Sequence, residues 1–585
     1  MDSSIEFAHK YLTNTEVVPD TGQPPHLDNG KVRLPVVLYP PDEGFWSVCT
    51  CVLGFLASMI LDGVCLSLFL YDSRVGMTEQ VSRPMLALEH LAIICLCRHL
   101  IGCIIILQSP MFNNYLFTEP FTCAYINRYG FRYCLFFGSV LSVTWITTLL
   151  LLSERKLPVE QLYFVLAAVV GGIGIGMIKT AFVVLISSLF LVNRQYGHLC
   201  LQLGSSVGML IIPPITEFSI IRVDWKSSMY LHLVSMCFTL IIWLLVTTPV
   251  PLIICDETSE HANFQRHVSG GFVGTVANKK SRFMPITEQT PLCSSRSDNE
   301  PVGLNAIWLY ENKIIGRTCV RNLTNIFKDR TIGGRPMYRH DILFESNIML
   351  LAANLKSHKL NPNPVLTSVL TVDDVNDEKH NRFRLCSIAV TRVLKSMFNM
   401  SIWRHKRFLA FAVSEALVES SYLIPFVFIK GIVGQKTSAE AMITLIAGCL
   451  GLLVGRGVGF LLHETSSTCV PMYHVCLVLF ANSLSLLLCS KTINVFVNIL
   501  PCFGLYGFTR GYYESMRNTV FCLGVFPLKK FINVRGQIAL VRAISSCLGL
   551  LSAITILENT LNMANVYMFA ASLAAFGGLF LALLN

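Results

Sequence analysis

Long apolar runs recur along this chain, and each has the length that a helix needs to cross a lipid bilayer, about 20 residues. These runs lie at 46–70, 92–122, 132–152, 161–191, 199–220, 229–252, 408–430, 438–462, 468–490, 492–522, 536–557 and 565–584. Only 14% of the residues are charged, against roughly 25% in soluble domains. The pattern predicts an all-α membrane protein with about twelve transmembrane helices in two six-helix halves.

A polar stretch separates the two groups of spans. The predicted units are an N-terminal segment, a first bundle, a central loop and a second bundle, with bounds 1–45, 46–252, 253–407 and 408–585. The central loop shows no clear helical or strand period, which predicts a largely disordered linker. Basic residues crowd the turns at 127–132 and 193–198, as in cytoplasmic loops. We therefore expect a plasma-membrane protein with both termini and the central loop cytoplasmic.

Composition and motifs argue against several other classes of protein. The net charge of +10 is explained by the bias of cytoplasmic loops, so it does not indicate nucleic-acid binding. The 21 cysteines lie mostly inside apolar runs, which favours small buried side chains over a metal site or disulfides. Neither an HExxH motif nor a Walker loop occurs. We expect neither a cofactor nor a metal, and no enzymatic activity.

Small residues and prolines indicate how the helices pack. Pairs of glycines four residues apart let helix backbones approach closely within a membrane. Such glycines are Gly204 and Gly208 in the fifth span, Gly451, Gly455 and Gly459 in the eighth, and Gly507 and Gly511 in the tenth. Pro213 and Pro214 remove backbone donors from the fifth span and predict a kink or an unwound turn there.

Ionisable side chains occur within the predicted spans. A charge near the bilayer centre costs about 2.5–3.5 kcal/mol on insertion scales, so such residues face a cavity or pair with one another. They are Asp62, Lys179, Glu415, Glu419, Arg456, Arg510, Glu514 and Arg542. The set is larger than an inert anchor needs, and it predicts a water-accessible cavity.

Two of these residues are candidates for binding an anion. Lys179 and Arg456 lie within spans of opposite halves, and neither has an acidic residue in its own helical turn. Substrate sites of two-half carriers lie near the bilayer midplane, between the halves. This placement favours Lys179 and Arg456 as an anion-binding pair.

Two further pairs have a spacing of four residues. Arg510 and Glu514 lie one turn apart and can pair within their own helix. Glu415 and Glu419 share a helix face, where two carboxylates can raise each other's proton affinity and form a coupling site. A position at a surface near the membrane edge is the alternative for this second pair.

The segments around the first, fourth and fifth spans resemble the monocarboxylate porters, a branch of the major facilitator superfamily. The residues PPDEGFW at 40–46 are similar to the signature before that family's first span, and a glycine-rich helix, a basic turn and GSSVG follow in the family's order. We assign as structural motif positions Asp42, Gly44, Trp46, Arg128, Arg194, Gly204 and Gly208. The resemblance implies the major facilitator fold, with the turns at Arg128 and Arg194 bracing the first half.

The resemblance also implies residue roles, and it is looser in the second half. The candidate substrate-binding residues are Arg456, Lys179, Asp62, Cys65 and Arg542, of which Lys179 is chosen for its charge within a span and not by resemblance. Lactate-carrying members of the family have a lysine where this chain has Cys65 and an aspartate where it has Leu452. These two departures argue against simple proton-coupled lactate transport.

The sequence therefore predicts a carrier that moves a small organic anion or zwitterion across the bilayer by alternating access. Either Lys179 supplies the missing positive charge, or the substrate differs from lactate, as it does for relatives that carry aromatic amino acids or carnitine. By resemblance, a single-pass immunoglobulin-type chaperone is the expected protein partner. A non-transporting sensor or scaffold of the same fold is the alternative function.

Overall fold

The architecture is taken from a computed structural model of the full chain, in which helices dominate the described residues. The structure describes residues 33–38, 44–67, 114–152, 160–190, 193–246, 252–254, 336–338, 342–343, 367–371, 387–429, 438–465, 472–492, 495–524 and 528–582. The position of Asp42 and most of the predicted 1–45 and 253–407 segments lie outside these ranges.

Six helices form the first half. They are α1 (Phe45–Ser67), α2 (Asn114–Tyr129), α3 (Phe131–Leu152), α4 (Glu160–Leu189), α5 (Arg194–Arg222) and α6 (Trp225–Leu245). Within this half, α1 packs against α5, α3 against α4, α2 against α4 and α6 against α3. Three short strands accompany the helices, β1 (Arg33–Leu38), β2 (Leu252–Ile254) and β3 (Thr367–Thr371). They pair antiparallel in the order β2-β1-β3.

The second half repeats the pattern after a short entry segment. Its helices are α7 (Ile388–Met397), α8 (Lys406–Tyr422), α9 (Ile424–Val427), α10 (Ser438–Thr465), α11 (Met472–Lys491), α12 (Phe496–Gly524), α13 (Leu528–Thr560) and α14 (Met563–Ala582). A 3₁₀ helix at Met400–Arg404 joins α7 to α8. Across the two halves, α5 packs against α10 and α2 against α13.

The predicted fold class is confirmed, and the helices follow the predicted order of spans. Among the described residues, ten helices are long and apolar enough to cross a membrane. The two remaining members of the expected twelve are α2 and α12. Helix α2 has 16 residues with Pro120 inside it, and α12 is polar because it carries Arg510, Glu514 and Arg517.

Two helices run further than the sequence predicted. Helix α2 continues to Tyr129, where a turn was predicted, and only Gly130 separates it from α3. Gly130 has φ of 88°, a conformation that residues with a Cβ rarely adopt, so a single glycine makes the break. Helix α5 is continuous through Pro213 and Pro214, so the predicted unwound turn is not formed there. Residues 92–113 of the predicted second span lie outside the described ranges.

The end of the predicted linker is structured rather than disordered. Ala389, Val393 and Met397 recur every four residues along α7, and all three are buried. This apolar stripe packs α7 against α2 of the first half and α13 of the second. The Nδ2 of Asn127 in α2 donates to the carbonyl of Ala389 at 3.2 Å. The stripe is short, and the polar residues around it hid its period in the sequence.

Hydrogen bonds fasten the same segment to α13. Gln537 is the centre of this contact, because its Nε2 donates to the carbonyl of Met397 and its Oε1 accepts from Trp403 Nε1. Close by, Arg535 Nε lies 3.1 Å from Glu119 Oε1 of α2 and joins the two halves directly. The segment 387–404 therefore closes this end of the bundle.

Glycines set the closest helix contacts, as their spacing predicts. The most extensive contacts among the described helices are α10 with α12 and α1 with α5. A Cβ on Gly455 or Gly511 would overlap a carbonyl oxygen of the facing helix, and so would one on Gly204 or Gly208. The backbones touch at these positions, so only hydrogen fits.

We expect Gly455→Ala to destabilise the protein by about 1–3 kcal/mol, because the added methyl would overlap the backbone of Phe508. Gly457→Ala is the matched control, two residues along the same helix, where a Cβ meets nothing within 4 Å. The control should be neutral or stabilising by up to about 1 kcal/mol. The melting temperature of each purified variant in detergent tests both, and equal behaviour would contradict the assigned contact.

Candidate functional site

An ion pair of the first half lies inside the bundle. Asp62 of α1 and Lys179 of α4 form a direct hydrogen-bonded ion pair, with side-chain exposures of 3% and 14%. Cys65, one turn further along α1, is fully buried beside the pair.

The second half contains a continuous series of buried ionic side chains, which we call the charge chain. In order of contact its members are Arg456, Glu514, Arg510, Glu419, Arg542, Glu415 and Arg517. They come from α8, α10, α12 and α13. Positive and negative groups alternate along the chain, so every glutamate lies between two arginines.

The first links of the chain are short. Glu514 accepts from Arg456 Nη2 at 2.6 Å and from Arg510 Nε at 3.0 Å. Glu419 accepts from Arg510 Nη2 and from Arg542 Nη2, each at 2.6 Å. Both carboxylates therefore have charged donors on both oxygens, in the short range that is typical of charge-assisted hydrogen bonds.

The last links of the chain are long. Glu415 Oε2 lies 3.6 Å from Arg542 Nε and 3.9 Å from Arg517 Nη1, beyond hydrogen-bond range in both cases. Its other oxygen accepts from the hydroxyl of Tyr513. Among the described residues, Glu415 Oε2 and Arg517 Nη1 are buried atoms without a hydrogen-bond partner. At this end of the charge chain the ionic contacts are longer than hydrogen bonds.

The alternation of positive and negative groups lowers the free-energy cost of burying the charge chain inside the bundle. Burying one ion costs several kcal/mol, whereas a pair at 4 Å gains about 4 kcal/mol at an effective dielectric constant of about 20. A glutamate between two guanidinium groups gains twice, which offsets its own burial. Arg510 gains further from the Tyr422 ring, whose centroid lies 3.7 Å from its Cζ.

The positive and negative charges of the charge chain do not sum to zero. It contains four arginines and three glutamates, so its ionised side chains carry a net charge of +1. The neighbouring pair of Asp62 and Lys179 adds nothing to this balance. The charge chain therefore favours an added anion.

Arg456 connects the charge chain to the first half. Its Nη1 donates to the carbonyl of Gln202 and to the hydroxyl of Ser206, both at 2.6 Å and both on α5. Its Nε and Nη2 donate to Glu514. Each of the three guanidinium nitrogens thus has a protein acceptor, and the contact bridges the α5–α10 interface.

The structure supplies counter-ions that the sequence did not show for the predicted anion-binding pair. Lys179 and Arg456 lack an acidic residue in their own turns, but Asp62 and Glu514 reach them from other helices. Each of these two positively charged side chains therefore has an acidic partner. Their proposed substrate roles must therefore work through these ion pairs.

The two glutamates of α8 are fully buried, so the surface position that was the alternative for them is wrong. Glu415 and Glu419 both have side-chain exposures of 0%. They do not face each other as a carboxylate pair, because Arg542 lies between them and contacts both. Arg510 contacts Glu514 one turn along α12, at the spacing seen in the sequence.

The described motif residues of the first half lie in structural positions. Arg194 is buried and donates to the carbonyls of Ser187 and Phe190 at the end of α4. Such contacts satisfy carbonyls that a helix end leaves unpaired. The Gly44 carbonyl accepts the first backbone bonds of α1. Trp46 is 61% exposed, and Arg128 is buried with its guanidinium over the Tyr129 ring.

Sequence reasoning missed Arg517, Tyr513 and Ser206 as members of this region. A signal was present for Arg517, because Arg510, Glu514 and Arg517 follow at intervals of four and three and so share one face of α12. Tyr513 and Ser206 carry no charge, and many hydroxyl groups occur within the spans. Only the packing of the helices identifies them.

We expect Lys179→Met to destabilise the protein by about 3–5 kcal/mol, because the Asp62 carboxylate would lose its direct ionic partner while buried. The double variant Asp62→Asn/Lys179→Met removes both charges and should recover most of the loss. Melting temperatures of the three proteins in detergent provide the double-mutant comparison. A single variant as stable as the wild type would contradict the structural role of this pair.

Comparison with known proteins supports the architecture. Residues 98–550 match the model of the Major Facilitator Superfamily. The xylose transporter XylE from E. coli, in a partially occluded inward-open conformation, is 12% identical, with a TM-score of 0.51 over 92% of this chain and 97% of that one. A POT family transporter in complex with 5-aminolevulinic acid is 11% identical, with a TM-score of 0.52 over 93% of this chain and 97% of that one. No curated protein sequence matches this chain.

Proposed function

Because the chain belongs to the Major Facilitator Superfamily, whose members are membrane transporters rather than enzymes, we propose that it carries a small organic anion across the membrane. The single observation that carries this proposal is the net charge of +1 on the buried charge chain. A monoanion would neutralise the charge chain, whereas a monovalent cation would raise its net charge to +2. Charge balance therefore supports a small organic anion as the substrate.

The placement of the charge chain suits alternating access. Carriers of this kind rock one half against the other around a central site. The contact between Arg456 and Ser206 lies where α10 meets α5, so rocking at this interface would change it. Binding of an anion near the chain would compete with the acceptors of its guanidinium groups and shift the balance between conformations.

Several finer features remain part of the proposal. The likeness of the first half to monocarboxylate porters supports a carboxylate as the anionic group. Cys65 and Leu452 stand where lactate carriers have a lysine and an aspartate, which argues against their mode of proton coupling. We further propose that the termini and the central loop are cytoplasmic, as the basic turns indicate, and that the protein resides in the plasma membrane. A single-pass immunoglobulin-type chaperone is the proposed partner.

The test is uptake by the purified full chain in liposomes, with labelled lactate, an aromatic amino acid and carnitine offered separately at two pH values. We expect saturable uptake of at least one acid, with competition from other small acids and not from their neutral amides. Empty liposomes measure passive entry of the protonated acids. Failure to detect saturable flux with any of the three would favour the sensor or scaffold alternative.

Arg456→Leu should abolish that uptake while the protein still folds, because Glu514 keeps Arg510 as a partner. The change removes the excess positive charge and the bridge to α5 together. Arg222→Gln is the matched control, since Arg222 is an exposed arginine at the end of α5. Uptake is compared at equal amounts of reconstituted protein. Wild-type uptake by Arg456→Leu would remove Arg456 from the transport cycle.

A further inference from the structure

The two ends of the charge chain are both arginines, but they differ in how their nitrogens are used. At one end, the guanidinium nitrogens of Arg456 donate to Glu514, Gln202 and Ser206. At the other end, the ionic contact of Arg517 with Glu415 is 3.9 Å long. Its Nη1 is buried and has no hydrogen-bond partner among the described residues. The excess charge of the chain is therefore least satisfied at Arg517.

We propose that Arg517, and not Arg456, binds the acidic group of the transported anion, a role that rests on the proposed function. Leaving a buried guanidinium donor without an acceptor is costly, and a carboxylate is the acceptor that suits a guanidinium best. The assignment differs from the one that family resemblance suggests for Arg456. In this arrangement Arg456 acts as a positioning residue that ties the charge chain to α5.

Glu415 narrows the class of ligand. Its Oε2 is also buried without a hydrogen-bond partner in the described part of the chain, 3.9 Å from Arg517 Nη1. A plain carboxylate bound to Arg517 would face this second carboxylate with no hydrogen between them. A ligand with a hydrogen-bond donor beside its carboxylate would satisfy both buried atoms at once. The site therefore fits a monoanion that carries a hydroxyl or similar donor next to its acidic group.

The surroundings of the pair keep the two atoms in place. Tyr513 donates to the other oxygen of Glu415 and fixes the direction of its carboxylate. Arg542 and Arg517 lie 3.6 and 3.9 Å from Glu415 Oε2, so the two positive charges attract this oxygen from both sides. The neighbouring Ser414 donates to the carbonyl of Gly577 at 2.7 Å and anchors this part of α8 to α14.

Three related probes separate the contributions of the two residues. Lactate has a carboxylate and an adjacent hydroxyl, propionate lacks the hydroxyl, and lactamide lacks the charge. Uptake of labelled lactate into liposomes gives the KM, and competition by propionate and lactamide gives their relative affinities. In the wild-type protein we expect lactate to bind best, propionate less well and lactamide hardly at all.

Arg517→Gln should raise the KM for lactate about 10- to 100-fold, the effect of losing one charge-assisted hydrogen bond. Arg517→Lys keeps the charge and should recover part of the loss. Glu415→Leu removes the acceptor, so it should leave the preference for acid over amide and remove most of the preference for lactate over propionate. Arg222→Gln serves again as the control arginine, and elution of each variant as a single species in detergent shows that it is folded.

The outcomes are distinct. An Arg517→Gln protein with wild-type KM for lactate, beside an Arg456→Leu protein that binds none, would overturn the proposal and leave anion transport standing. Saturable uptake that is equally sensitive to lactate and lactamide would also overturn it. If the wild-type chain shows no saturable uptake of lactate or of any other acid tested, the proposed function fails and this assignment fails with it.

Discussion

Each carboxylate of the charge chain lies between two guanidinium groups, and the joining of four helices depends on that alternation. An isolated charge would be expensive inside the bundle, but Glu419 holds Arg510 of α12 and Arg542 of α13 to α8 through bonds of 2.6 Å. The same groups could not be separated without leaving buried ions unpaired. The chain is therefore both a structural link and the source of the site's chemistry.

Close backbone packing makes that chain possible. Gly455 and Gly511 bring α10 and α12 into direct contact, and this places Glu514 within reach of Arg456 on the facing helix. A side chain at either glycine would push the helices apart and lengthen the ionic links. In the first half, Gly204 and Gly208 bring α5 against α1 in the same way. These two glycine contacts thus fix the positions of α10 and α5, and Arg456 reaches Ser206 from one helix to the other.

In the part of the chain that the structure describes, polar side chains join the two halves both in the interior and beside the segment that precedes α8. Arg456 and Ser206 join them in the interior, and Glu119 and Arg535 join them beside the segment that precedes α8. The buried stripe of α7 covers this second contact, so the end of the central loop is part of the closed bundle. A carrier that rocks about its centre must break and remake such polar contacts, and each of them has a defined donor and acceptor.

The sequence by itself determined the membrane class, the order of the helices and the glycine contacts, because apolar length and four-residue spacing are local properties of the chain. It also identified most of the buried charges, since an ionisable residue in an apolar run is conspicuous. Only the tertiary structure decided which charges pair, because Asp62 meets Lys179, and Arg456 meets Glu514, across separate helices. The same holds for Arg517, whose importance comes from a partner on α8 that no spacing within α12 could reveal.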